Sequence, residues 1–356
     1  METLQAPFPW FGGKSKVSGI AWGRFGDVKN YVEPFAGSLA VLLGRPHVPR
    51  IETVNDLDCC LANFWRAIKC APDDVAKWCD GPVNEADLSS RHIWIVERKQ
   101  NLALRLQGDA DYFCARTAGY WVYGICSWIG SGWCSGKGPW IRGEDGTLTD
   151  SRQLPHLGNA GMGVWRQRPH LGDAGRGVNR KLPETARDWF DALALRLRNV
   201  RVCCGDWARV TGPSVTTKHG MTGVFLDPPY SAEASRADGL YAEDSLSVAH
   251  GVREWAIAHG DDPLMRIALC GYDGEHTMPA SWECVSWKAN GGYGSQSDGA
   301  GRANVGRERI WFSPHCIKAN RGEVAEARIT GPAVTIGDML GAGGHIADAS
   351  KKIGDR

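Results

Sequence analysis

Long apolar runs are missing from this 356-residue chain. No stretch approaches the roughly 20 residues that a membrane-spanning helix needs. The amino-terminal METLQAPFPWFGGK lacks the basic start and apolar stretch of a secretory signal, so the expected location is the cytoplasm of whatever cell makes the protein. Net charge is scarce too. At +1 it removes any global electrostatic argument for a polyanionic partner, and a basic surface must be local. Cysteine itself is plentiful, at twelve residues, but metal-ligand spacing is absent: no C-x-x-C occurs, and Cys59-Cys60 and Cys203-Cys204 are adjacent pairs. No metal site and no disulfide framework are expected, and most of the thiols should be buried and reduced.

What is present alternates between strand and helix patterns. Residues 30–44, NYVEPFAGSLAVLLG, read as a strand, a turn and a short helix stopped at Gly44. Residues 50–58 read as a second strand ending in Asn55 and Asp56. Leu57, Cys60, Leu61, Phe64, Trp65 and Ile68 then recur at helical spacing and predict one apolar face. Further strands are expected at 222–226, 264–270, 282–287 and 308–312, with a helix over 247–259 between two of them. This order predicts a doubly wound, Rossmann-like α/β sheet, whose ligands bind beyond the carboxyl ends of its strands.

Residues 76–189 differ in character. Helices are expected at 88–106, 111–124 and about 184–198. Between the last two, residues 120–140 hold four tryptophans among many glycines, and the segment PHLGNAGMGV (155–164) recurs as PHLGDAGRGV (169–178). Two copies are too few for a solenoid. From Lys137 to Lys181 there are eight basic residues against four acidic ones, which is the local basic patch that the net charge concealed. The expected layout is therefore a first catalytic part over 1–75, an insert over 76–189, a second catalytic part over 190–317 and a weakly structured tail over 318–356.

One strand end carries chemistry. LDPPYS (226–231) closes the apolar run Val224-Phe225-Leu226 with an acid, two prolines and an aromatic. A rigid turn is one reading, because proline has no N–H to extend the ladder. The other is a site for methylating an exocyclic amine of a base. Such an amine is a poor nucleophile, since its lone pair delocalises into the ring. Asp227 and the Pro228 carbonyl would accept its two hydrogens, and Tyr230 would stack on a base flipped out of the duplex.

The ordered set PFPWFGGK (7–14), YVEPFAGS (31–38), VNDLD (54–58), CGDW (204–207) and DPPY (227–230) resembles the Dam-type, alpha-group (D12 class) adenine-N6 DNA methyltransferases. The resemblance covers most of residues 7–315 and matches the insert and tail only loosely. It implies a Rossmann-like S-adenosylmethionine-dependent methyltransferase sheet with an inserted, partly helical, Gly/Trp/Arg-rich target-recognition region. It also implies S-adenosylmethionine as cofactor and double-stranded DNA as partner.

By that resemblance Trp10 and Lys14 line the cofactor pocket, Glu33, Phe35 and Gly37 belong to the turn under its methionine part, and Asp56 receives the ribose hydroxyls. Asp206 takes the adenine amino group, and Asp227 serves both cofactor and catalysis. Asp56 has a competing reading as the cap of the next helix, and Asp206 one as an ordinary loop acid. Where the family shows a second glycine, this chain has Leu39. Arg166, Arg168 and Arg176 are the candidate DNA contacts, whereas Trp121, Trp128 and Trp133 are either a wedge into DNA or the core of a helical subdomain. Residues 231–245 form a polar segment placed to close over a substrate. Cytosine N4 as acceptor, or a catalytically silent DNA-binding protein on the same fold, are the alternatives. The first residue of the tetrad, Asp rather than Ser, favours adenine. No Pro-Cys pair of the cytosine-C5 type occurs, which argues for direct transfer without a covalent enzyme–base intermediate.

Overall fold

The computed structural model describes residues 4–10, 14–81, 83–128, 133–135, 140–142, 148–150, 186–230, 240–287 and 307–318. The strands are β1 (Asn30–Glu33), β2 (Ile51–Asp56), β3 (Trp140–Arg142), β4 (Leu148–Asp150), β5 (Val200–Cys204), β6 (Thr222–Leu226), β7 (Met265–Tyr272), β8 (Glu283–Ser286) and β9 (Glu308–Phe312). The helices are α1 (Ser15–Phe25), α2 (Ala40–Leu43), α3 (Cys59–Cys70), α4 (Pro72–Cys79), α5 (Glu85–Gly108), α6 (Ala115–Ser127), α7 (Ala186–Leu197) and α8 (Leu240–His259).

Seven strands form one sheet in the order β5-β2-β1-β6-β7-β9-β8, and β3 and β4 pair separately as an antiparallel ribbon. The first five run parallel, while β9 is antiparallel to both neighbours, so β8 points the same way as the parallel set. The chain leaves β1 toward β2 on one side, and β6 lies on the other. That makes the gap between β1 and β6 the topological switch point, where ligands of such sheets bind.

Strand periodicity divides the core between the two faces. Val32, Val224, Leu226, Ile267 and Leu269 pack with Val252 and Ala256 of α8 on one face. Their alternates Tyr31, Phe225, Ala268 and Cys270 join α1, α3 and the helices beyond it on the other. Burial on both faces is what continuous apolar strands such as β6 require.

Local signals set the helix boundaries. Asp58 caps α3, accepting from the main-chain N–H groups of Cys60 and Leu61, and Pro72 opens α4 where no N–H is needed. Asn84 caps α5 by accepting from Asp87 N–H. Leu57, expected on the apolar face of α3, lies before the cap and is 71% exposed. The strand expected at 264–270 begins one residue later, because Leu264 is exposed, and runs on to Tyr272. The helix expected at 111–124 spans 115–127 instead.

The first helices of the 76–189 segment are built into the core. Arg66 of α3 is buried and donates to the carbonyls of Leu106, Asp109, Tyr112 and Val202, which locks the α5–α6 connection against β5. Trp121 is buried against Phe8 and Phe64, so its core reading holds, and Trp133 donates its indole N–H to the Trp121 carbonyl. Behind the sheet, Glu52 receives a two-pronged contact from Arg196 (2.7 and 2.9 Å) and a third bond from Arg45 (3.2 Å), all three side chains being buried. This cluster ties α7, where the chain returns to the sheet, to β2. All twelve cysteines are free, and seven of them are buried. No helix among the described residues is long and apolar enough to cross a membrane.

Candidate active site

The carboxyl ends of β1, β2, β5, β6 and β7 lie along one edge of the sheet, and the residues singled out from sequence cluster there. After β1 the chain turns through Pro34, Phe35, Ala36, Gly37 and Ser38 into α2. Gly37 has φ +48°, a left-handed conformation, and a Cβ there would lie 2.7 Å from the Trp10 indole nitrogen. Glycine is therefore required by conformation and by the packing of Trp10 across the turn. Leu39, standing where a second glycine was expected, also adopts a left-handed conformation (φ +56°), with its side chain fully buried. The turn thus keeps a glycine-like backbone without the glycine, at a cost of about 1–2 kcal/mol.

Asp56 ends β2 and binds that turn. Its Oδ2 accepts from Gly37 N–H at 3.0 Å and its Oδ1 from Asp58 N–H at 2.9 Å. The helix-cap reading of Asp56 falls, because Asp58 performs that task. Each Asp56 oxygen retains a lone pair. Burial raises the Asp56 carboxyl to about 6, against the stabilising N–H groups of Gly37 and Asp58. Glu33, buried at the end of β1, is pushed up to about 8 by burial; the Tyr31 hydroxyl, 3.0 Å away, opposes this, and the charge of Asp227 adds to it.

Asp206 follows β5 and is exposed, accepting from Ala208 N–H at 2.8 Å as the cap of a 3-10 turn over Trp207–Val210. Its neighbour Trp207 stacks on the half-buried Phe35 at 6.4 Å between centroids. Asn55 fastens the edge, donating to the carbonyls of Pro34 and Gly205.

Asp227, Pro228 and Tyr230 follow β6. Pro228 and Tyr230 are buried and Asp227 is partly so. The Tyr230 oxygen is 3.0 Å from both Asp227 Oδ1 and Glu308 Oε2, and it accepts from Lys14 Nζ at 2.7 Å. Lys14 Nζ lies 3.2 Å from Asp227 Oδ1 and 3.6 Å from Glu308 Oε2. It also sits over the rings of Tyr230 (5.0 Å) and Trp287 (5.2 Å). Burial works to lower the Lys14 pKa, but Asp227, Cys270 and Glu308 outweigh it and the net shift is upward. Burial, followed by the same carboxylates, raises Tyr230 well above an ordinary phenol, so it stays protonated.

Lys14 touches both Tyr230 and Asp227, the latter itself among the expected cofactor residues. Tyr230, expected to stack on a base, is 6% exposed and packs edge-on against Tyr272 at 4.6 Å. Sequence reasoning missed Glu308 and Tyr272, at the ends of strands with no motif of their own, and Trp287, which follows β8 directly. Trp207 stood in the CGDW segment but carried no assignment. Arg166, Arg168, Arg176, both glycine-rich repeats and residues 231–239 lie outside the described residues.

The arrangement joins an acid-lined edge at the switch point to a carboxylate–phenol–ammonium cluster beside it. The chain matches no protein-family model and no curated protein sequence.

Proposed function

We propose that this chain is an S-adenosylmethionine-dependent DNA adenine-N6 methyltransferase. The observation that carries the reading is the position of Asp227-Pro228-Pro229-Tyr230. It follows β6 at the switch point, one strand away from the Gly37 turn and two from Asp56. The proposed acceptor residues and the proposed cofactor edge thereby adjoin.

The donor set fits the cofactor. Asp56 and Asp227 make this edge acidic, which suits a sulfonium cation, and Glu33 can add to it on losing its proton. The spare lone pairs of Asp56 suit ribose hydroxyls, and Trp10, half-buried over Gly37, offers an apolar wall. When bound, S-adenosylmethionine supplies a methyl group activated by the positive sulfur.

The residues of the chain then act on the acceptor. Asp227 accepts one hydrogen of the adenine amine and the Pro228 carbonyl accepts the other. Both bonds draw the amine toward tetrahedral geometry and localise its lone pair for in-line attack. Pro-Pro restricts the backbone that aims this carbonyl. The aromatic groups at this edge, Tyr230 among them, would stack on the base where its entry uncovers a ring face. Asp227 takes the amine proton that is lost on transfer. No covalent link between chain and base is required.

The test is transfer of a labelled methyl group from S-adenosylmethionine to unmethylated DNA, followed by digestion to nucleosides. Label in N6-methyldeoxyadenosine, lost in Asp227→Ala while the fold persists, is the expected result. Lys14 keeps Glu308 as a partner in that variant, so the fold should survive. Label in N4-methyldeoxycytidine would move the acceptor to cytosine. DNA and cofactor binding with no label would leave a silent binding protein.

A further inference from the structure

The Tyr230 hydroxyl has one proton and two carboxylates at the same distance, Asp227 on its own loop and Glu308 on β9. It also accepts a hydrogen bond from the Lys14 ammonium. One arrangement satisfies all four groups. Lys14 donates to the Tyr230 oxygen and to Asp227 Oδ1, and Tyr230 donates to Glu308. The phenolic proton is then turned away from Asp227, whose carboxylate remains an acceptor.

Without Glu308 the phenol has a single carboxylate in reach and must donate to Asp227. That bond would add a second donor to Asp227 Oδ1, which already faces Lys14, and so lower the basicity of the carboxylate that the reaction uses. It would also free the ring to pivot about the Asp227 contact.

Strand direction explains why Glu308 can do this. Among the described residues, β9 is the only strand of the large sheet that runs against the others, and its first residue pairs with Tyr272, the last residue of β7. A residue that begins a strand thereby reaches the edge where the parallel strands end. The same pairing sets Tyr272 edge-on against Tyr230. Glu308 is buried, so its carboxylate is held in a dry setting where a hydrogen bond counts for more than in water.

We propose that Glu308 is a positioning residue for the reaction, acting through Tyr230 to keep the phenolic proton off Asp227 and the ring in one orientation. The inference rests on the methyltransferase reading above. It adds a residue that no motif in the chain marks.

The experiment is a double-mutant cycle read by steady-state methyl transfer, with cofactor affinity and thermal unfolding measured on each variant. Glu308→Ala should lower kcat by roughly 10- to 100-fold, the range of one charge-assisted hydrogen bond, with little change in cofactor affinity. Glu308→Gln keeps an acceptor oxygen in place and should stay within about fivefold of the unaltered protein, a neutral bond being weaker than a charged one. In a Tyr230→Phe background there is no proton to direct, so Glu308→Ala should add less than about twofold.

Full kcat in Glu308→Ala would overturn the inference. So would equal losses with and without the Tyr230 hydroxyl, because Glu308 would then act by another route. A common fall in kcat and unfolding temperature for both Gln and Ala variants would reduce Glu308 to a structural role. No transfer by the unaltered protein would instead overturn the functional reading on which the inference stands.

Discussion

The main-chain N–H of Gly37 donates to Asp56 Oδ2 at 3.0 Å, and this bond closes the turn after β1 onto the end of β2. A second N–H, from Asp58, satisfies the other oxygen. Asp56 therefore shapes the proposed cofactor edge before any cofactor arrives.

Asp56→Ala should leave both N–H groups without their acceptor and destabilise the protein by about 1–3 kcal/mol. Affinity for S-adenosylmethionine should fall at least about tenfold, the equivalent of one lost hydrogen bond to a charged group. Urea unfolding and calorimetric titration check the two effects separately. A stability loss with unchanged affinity would confine Asp56 to structure.

Stability should decline as pH rises. Burial lifts Glu33 from an ordinary 4.5 to about 8, so the native state holds a proton that the unfolded chain has released. The resulting stabilisation is complete below about 4.5 and is lost as pH climbs through about 8. Asp56 acts in the same direction between 3.8 and about 6. Unfolding temperature measured from pH 5 to beyond 8 should fall, and the fall should be shallower in Glu33→Gln. Equal slopes for variant and parent would refute the assignment to Glu33. A bound sulfonium favours the ionised carboxylates, so cofactor affinity should increase over the same pH rise.

Glu52 is the common partner of Arg45 and Arg196 behind the sheet. Glu52→Ala leaves two buried guanidinium groups without their carboxylate and should destabilise by about 3–5 kcal/mol. Because α7 is anchored by this cluster, limited proteolysis should also cut more readily around residue 186. A denaturation midpoint close to that of the parent would show that the arginines find other acceptors.

Leu39→Gly opposes two effects. Relief of the left-handed conformation returns about 1–2 kcal/mol. Loss of a fully buried leucine costs more than that, about 3–5 kcal/mol including the cavity. The variant should be less stable by roughly 2 kcal/mol, the difference between those ranges. Cofactor affinity should be retained, since the turn already has a glycine-like path. A more stable Leu39→Gly protein would mean that backbone strain there exceeds the value of burial.

Much of the sheet was legible in the sequence because its signals are local. The apolar run at 222–226 and the alternating 308–312 segment are strands at those residues. The acids at 33, 56 and 227 mark strand ends, and their convergence at one edge follows from parallel order alone. The error at Leu57 has an equally local cause: helical spacing continued backward by one residue matched an apolar side chain that precedes the Asp58 cap.

Other features depended on which strands become neighbours. Tyr230 has the identity of a stacking aromatic, but Lys14, 216 residues away, and Glu308, 78 residues away, determine what its hydroxyl does. Nothing in the 308–312 pattern says that β9 runs backward between β7 and β8, and that reversal brings Glu308 to the active edge. The sequence by itself determined the elements and the residues at the ends of parallel strands, because propensity, periodicity and capping act over a few residues. Only the tertiary structure decided strand direction at β9 and the placing of one phenol oxygen between two carboxylates, because both depend on contacts between distant parts of the chain.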